Sequence, residues 1–308
     1  MAEVTDNIAT LSLQGPCSAT VLGLAGFDVS ALKPFRMARF VFQGGEITIS
    51  RTGFTGDLGY ELWAKPDQAL PLWDALMDAG ALYGIRPIGT DALNLARIEA
   101  GFLITNMDFI PADQAVREDR ARSPFELGLD WMIDWDKGHF TGRRALLAER
   151  DTGSSRWALV GLDVAGNVAA EGALIYLDRR IEVGHITAAA WSPATKRNIA
   201  IAHLRRPHQT SGNLWVEIYA LRELQYAKLM LPVSVTPRPL RAEAGRVGAA
   251  AWLHLPALPA GAAACAGRLA GALRRRFRGL PDDRGAAGAD GRLGHHAAGQ
   301  LEIGARRG

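Results

Sequence analysis

Glu61 and Trp63 stand two residues apart at the end of the motif "RTGFTGDLGYELW", residues 51–63. Gly53, Gly56 and Gly59 punctuate a turn between two strands, where glycine permits positive φ and close backbone approach. Past the turn, alternation sets Tyr60 and Leu62 on one face and Glu61 and Trp63 on the other. A carboxylate beside an indole on a strand face can pair with a flat, donor-bearing heterocycle. Its two in-plane oxygens match an amino-plus-ring-NH edge such as that of a pterin. The other reading of the same residues is a glycine-rich hairpin loop with an exposed glutamate.

Arg97 is the second residue whose setting asks for chemistry. In "GTDALNLARIEAG" (89–101) it shares a helical stripe with Leu93 and Ala100, so it sits on or beside an apolar face. An arginine there needs an anionic or multiply accepting partner, from the protein or from a ligand. Asp91 and Glu99 are expected to face solvent. Further on, Asp108, Glu126 and Asp130 alternate with Phe125, Trp131 and Trp135, a mixture that suits a small-molecule site or a domain interface equally. His139, His185, His203 and His208 show no metal-ligand spacing, so no metal site is expected. No phosphate loop, dinucleotide fingerprint or nucleophile elbow appears. No catalytic residue can be named from these patterns.

The elements that must position these residues are legible from about 1 to 240. "IATLSLQG" (8–15) reads as a strand, and "ARFVFQGGEITIS" (38–50) as a hairpin around Gly44-Gly45. "PDQALPLWDALMDAG" (66–80) reads as an amphipathic helix capped by Asp67, and a second helix runs from Thr90 to Gly101. From Trp157 to Val235 short alternating strands with turn residues between them predict an antiparallel barrel or sandwich. The expected organisation is an α+β part over 1–150, a linker around Arg150 to Arg156, and an all-β part over 157–236.

Composition bounds the rest. The chain has 308 residues, 48% hydrophobic and 22% charged, with no apolar run long enough for a membrane span and no signal-peptide pattern. Two distant cysteines, Cys17 and Cys265, suggest a reducing compartment, and a cytoplasmic location is expected. The net charge of +3 is unevenly spread. Between Arg241 and Gly308 stand eleven arginines, no lysine and five acids, so the tail is basic by six and the remainder acidic by three. Whole-chain charge is therefore no argument for nucleic acid as a partner. Ala, Gly and Arg make up 43 of the tail's 68 residues, and no period of 2 or 3.6 is sustained in it. A basic docking arm, a disordered low-complexity segment and a shifted reading frame in a GC-rich gene would each give such text. The lack of a period favours the last two. Residues 241–308 are expected to pack against nothing and to add no strand or helix to the barrel.

Six collinear blocks, "LQGPCSATVL", "RTGFTGDLGYELW", "LNLARIEAG", "SPFELGLDW", "FTGRRAL" and "IEVGHITAAAWSPATKRNIAIAHL", resemble the glycine-cleavage T-protein (aminomethyltransferase) family over about residues 7–236. The resemblance implies T-protein-like folate-binding α+β domains followed by a C-terminal antiparallel β-barrel. It implies tetrahydrofolate as cofactor and a small methyl or aminomethyl donor, with a lipoyl carrier protein as a partner in the aminomethyl case. Carried over by motif position, Glu61 corresponds to the pterin-binding glutamate and Arg97 to the arginine near the folate, with Tyr60 and Trp63 beside them. Both should then converge on one cavity. "TGDLGYEL" and "IPADQAVREDRARSPFELGL" lean toward the folate-dependent demethylases and the C-terminal halves of dimethylglycine dehydrogenases. The family's longer N-terminal stretch, with its folate-positioning aspartate, has no counterpart here, and the expected closing aromatic gives way to the tail. The implied activity is one-carbon transfer to tetrahydrofolate. The alternatives are a non-catalytic folate-binding module and a non-functional fragment of such a transferase.

Overall fold

The structure, a computed structural model, describes residues 3–210, 212–222, 225–236, 238 and 301–304. Two compact units emerge, one built on residues up to Leu93 together with Leu301–Gly304, the other on residues from Asn94 onward. They part inside a helix.

The first unit is a six-stranded sheet with helices on one face. In chain order its elements are β1 (Ala9–Gln14), α1 (Ser18–Leu24), β2 (Met37–Phe42), β3 (Gly45–Ser50), β4 (Gly59–Ala64), α2 (Pro66–Gly80) and β5 (Arg86–Ile88). The β2–β3 hairpin turns on Gln43 and Gly44, at φ of 47° and 80°, the paired left-handed geometry of a tight hairpin. Leu11 and Leu13 of β1, Ile47 and Ile49 of β3, and Tyr60 and Leu62 of β4 form one buried layer with Val21, Leu22, Leu72 and Leu76 of the helices. Phe27 closes this core, its ring 6.0 Å from that of Phe40 and 5.8 Å from that of Phe42. α2 spans the predicted residues, but Asp67 does not cap it. Lys65 holds the cap position and Pro66 begins the helix, leaving Asp67 in the first turn, where its charge complements the helix dipole.

The sheet order is β2-β3-β4-β1-β12-β5, where β12 is Leu301–Gly304. This overturns part of the reading of the tail. Four of its residues form a strand parallel to β1 and antiparallel to β5, although they add nothing to the barrel. Local text could not show this, because a parallel partner must come from far along the chain. The rest of that expectation lies outside the described residues.

The second unit begins within α3 (Thr90–Ala100) and continues through the short α4 (Pro124–Leu127) and α5 (Arg143–Thr152). It ends in β6 (Trp157–Val164), β7 (Leu174–Leu177), β8 (Ile181–Ser192), β9 (Arg197–Arg205), β10 (Leu214–Arg222) and β11 (Gln225–Thr236). These six close into an antiparallel barrel in the order β10-β11-β6-β9-β8-β7, as the alternation from Trp157 predicted. Leu162, Val164, Ile175, Val183, Ala200, Ala202, Leu204 and Val216 fill it. On β6, β8 and β9, Leu159, Ala188, Ile199 and Ile201 form a second cluster that buries Ile98 of α3.

Candidate functional site

β4 carries the residues that pointed to chemistry, and its pleat separates them. Tyr60 is 2% exposed within the core layer, on the face opposite Glu61. Expected among the cofactor-binding residues, it packs here as a core side chain, and burial raises its phenol pKa. Glu61 and Trp63, both half-buried, share the other face. There Glu61 stands between Ser12 of β1 and Ser50 of β3, and Trp63 between Thr10 and Thr48. Ser12, Gln14 and Ser50 are buried, so this polar face is sheltered.

Hydroxyls orient the carboxylate. Thr52 Oγ1 donates to Glu61 Oε2 at 2.7 Å, and Ser50 Oγ lies 2.5 Å from Thr52 Oγ1. Since the Thr52 proton goes to the carboxylate, Ser50 is the donor to Thr52. Among the described residues nothing donates to Glu61 Oε1. One oxygen is thus fixed by a hydroxyl relay and the other left for an incoming donor, a strong charge-assisted acceptor. Alongside, Gln14 Nε2 donates to Ser12 Oγ at 2.9 Å and Gln14 Oε1 accepts from Thr55 Oγ1 at 3.3 Å. A Cβ at Gly53 or Gly59 would stand 2.1 or 2.0 Å from Gln14 Oε1, so the glycines make room for this amide. Sequence reasoning missed Ser12, Gln14, Ser50 and Thr52. The signal for Thr52 was present, a hydroxyl opening the same motif.

Arg97 lies in the other unit, and its partner comes from the protein. Its side chain and that of Asp108 are both fully enclosed, with Nη1 to Oδ2 at 2.5 Å. Nε donates to Asn94 Oδ1, Nη1 also to the Phe102 carbonyl, and Nη2 to the Met107 sulfur. Enclosed in this way, Arg97 spends its donors on protein acceptors, where the resemblance implied a place near the folate. Asp108 also accepts from Ile104 N and from Thr187 Oγ1, each at 2.7 Å. Thr187 sits where β8 bulges between Ile186 and Ala188, an irregularity that re-aims a side chain. Glu99, expected in solvent, is 5% exposed and accepts from Ser192 Oγ at 2.6 Å. Glu126 completes a capping box with Ser123 and accepts from the amides of Arg156 and Trp157. These acids tie α3, α4 and the turn at Asp108 to the barrel strands. Trp131 is 69% exposed, and Trp135 lies under Arg150.

His203, 1% exposed on β9, pairs its Nε2 with the Asp108 carbonyl at 2.7 Å, which makes Nε2 the protonated nitrogen. Nδ1 finds no partner among the described residues. Burial, reinforced by the Arg122, Arg238 and His185 charges, lowers its pKa to about 4. A group held below its unfolded value binds its proton more readily in the unfolded chain. Stability of this unit should therefore be full above about pH 6.5 and fall by up to ~1.4 kcal/mol per pH unit toward pH 4. Urea unfolding of parent and His203→Phe across pH 4–7.5 checks this. An unchanged pH slope in the variant would contradict it.

Comparison with known proteins bears on both units. Residues 1–137 match the GCVT N-terminal domain, and residues 158–240 match the glycine cleavage T-protein C-terminal barrel domain. The chain belongs to the glycine-cleavage T-protein family. An aminomethyltransferase of Halothermothrix orenii is 35% identical over 209 residues, 68% of this chain and 56% of that protein. A trimethylamine-oxide aldolase of Ruegeria pomeroyi is 35% identical over 63% of this chain and 23% of its own length. The crystal structure of glycine cleavage system aminomethyltransferase T from Bartonella henselae shares the fold. It superposes with a TM-score of 0.58 at 21% identity, covering 74% of this chain and 58% of that one. The chain thus spans about half the length of the T-protein relatives it matches. Among the described residues no helix is long and apolar enough to cross a membrane.

Proposed function

We propose that this T-protein-family chain binds tetrahydrofolate through Glu61 and takes part in transfer of a one-carbon unit to it. The observation that carries this reading is the half-ordered carboxylate: Oε2 tied to Thr52, Oε1 open, on a sheltered polar face beside Trp63. A pterin's amino group and ring N–H need two coplanar acceptors, and Glu61 offers its open Oε1 together with the second lone pair of Oε2, whose first takes the Thr52 hydroxyl. Trp63 offers an aromatic wall at the neighbouring register position. Ser12, with its hydroxyl proton uncommitted to Gln14, offers one further donor or acceptor. Bound there, the reduced pterin supplies the ring nitrogen that accepts the one-carbon unit. The protein's own share is orientation and exclusion of water.

The donor divides the relatives, since an aminomethyltransferase and a trimethylamine-oxide aldolase stand at the same 35% identity. A small methyl or aminomethyl donor is the shared chemistry, and a lipoyl carrier protein enters only with the aminomethyl donor. Calorimetric titration with tetrahydrofolate and with a pteridine that bears oxygen in place of the 2-amino group tests the reading. The first should bind at least about tenfold more tightly, the worth of one charge-assisted hydrogen bond. Equal affinities, or no binding of tetrahydrofolate, would exclude Glu61 as a pterin acceptor.

A further inference from the structure

Among the described side chains, none receives the hydroxyl proton of Ser12. The residue stands directly opposite Glu61 on the same face of the sheet and is 4% exposed, so it has little access to water. Its oxygen already accepts from Gln14 Nε2 at 2.9 Å, which turns the proton away from that amide. Gln14 is itself 2% exposed and held in place. Its Oε1 accepts from Thr55 Oγ1 at 3.3 Å, and Gly53 and Gly59 close on the same oxygen, where a Cβ would stand at 2.1 and 2.0 Å. The neighbour of Glu61 on the other side differs. Ser50 gives its proton to Thr52, whose own proton goes to Glu61 Oε2. Across three strands the face thus presents a donor at Ser12, acceptors at Glu61 and no free proton at Ser50.

The edge of a pterin has the complementary order. Its 2-amino group and N3–H are donors, and an acceptor flanks them on either side, the 4-oxo group beyond N3–H and N1 beyond the amino group. Whichever way the ring is turned, one of those acceptors comes to the β1 side when the donor pair meets Glu61. Resting on the reading of Glu61 as the pterin acceptor, we propose that Ser12 is a further binding residue, donating to the ring acceptor beside that donor pair. Gln14 is the positioning residue, and it acts only through the Ser12 hydroxyl. A buried donor without an acceptor is destabilising, and a ligand that supplies one binds more tightly for it. The face is therefore selective for a heterocycle with an acceptor next to two donors, not for any amino-bearing ring.

Calorimetry on the full chain tests this with tetrahydrofolate and with the pteridine that bears oxygen in place of the 2-amino group. The proteins compared are the parent, Ser12→Ala, Gln14→Met and the double variant. Ser12→Ala should bind tetrahydrofolate about three- to tenfold more weakly, as for one neutral hydrogen bond, and keep the preference for the 2-amino ring. Gln14→Met, similar in length but unable to donate, should weaken binding at least about twofold in the parent and have no further effect once Ser12 is alanine. Should Ser12→Ala fail to fold, Ser12→Cys, which keeps the size and donates poorly, is expected to show the same loss. Tetrahydrofolate binding as tight in Ser12→Ala as in the parent would overturn the proposal and leave the reading of Glu61 standing. A Gln14→Met loss that persists in full beside Ser12→Ala would reduce Gln14 to packing and overturn its positioning role. No preference for the 2-amino ring in the parent would instead overturn the reading of Glu61, and this proposal with it.

Discussion

Asp108→Ala is expected to destabilise the second unit by about 3–5 kcal/mol, the cost of leaving one partner of a buried ion pair behind. Arg97 and Asp108 are both withdrawn from solvent, so water cannot replace the lost carboxylate. The same substitution orphans the Ile104 amide and the Thr187 hydroxyl. It also removes the anion that offsets Arg238, whose guanidinium pKa burial already lowers. Asp108→Asn keeps an acceptor for these donors and should cost less. Arg97→Met combined with Asp108→Leu removes both charges and should recover much of the loss, as apolar replacement of buried pairs often does. Urea unfolding gives the free energies, and hydrogen exchange in β9 assigns them to this unit. A loss below about 1 kcal/mol for Asp108→Ala would mean that Arg97 finds another anion or water.

How this pair was and was not legible follows from the physics of each residue. Helical spacing set Arg97 on an apolar stripe and so required an acceptor, but spacing cannot say whether protein or ligand supplies it. The answer lay eleven residues on, across a turn whose geometry no periodicity encodes. From sequence Glu99 is expected to face solvent. Ser192, on β8, reversed that by offering a buried hydroxyl. The barrel was legible almost strand for strand, because inward Val, Ile, Leu and Ala alternate with outward residues between turns. β12 was not legible. Four residues in Ala-, Gly- and Arg-rich text carry no period, and only β1 and β5, brought together by the fold, give them a place.

On β4 the same alternation separated Tyr60 from Glu61 correctly, while motif position alone grouped them. The pleat decides between the two: neighbours along a strand point to opposite faces, so a strand-borne site uses every second residue. Glu61 and Trp63 satisfy that rule together and Tyr60 does not. The residues that complete the polar face, Ser12 and Ser50, come from the two neighbouring strands at the same register position. Register is a property of strand pairing, so one strand's sequence could not supply them.

Glu61→Gln should weaken tetrahydrofolate binding roughly 10- to 150-fold, the equivalent of about 1.5–3 kcal/mol for one charge-assisted hydrogen bond. The amide has the carboxylate's shape but one oxygen fewer. If its oxygen stays on Thr52, its NH2 faces the incoming N–H groups, donor against donor. If the amide flips, Thr52 must accept instead of donate, and its proton must go to Ser50, which now donates to it. Ser50 is 2% exposed, so turning its hydroxyl away leaves a buried proton to be satisfied elsewhere. Either orientation deprives the heterocycle of one acceptor. Thr52→Val, which removes the relay and leaves the charge, should cost less, about 1 kcal/mol. Calorimetry with the pteridine lacking the 2-amino group closes the cycle. Against that ligand Glu61→Gln should cost little, since the donor it would oppose is gone. Equal losses with both ligands would place Glu61 away from the amino group, and no loss with either would remove it from the site.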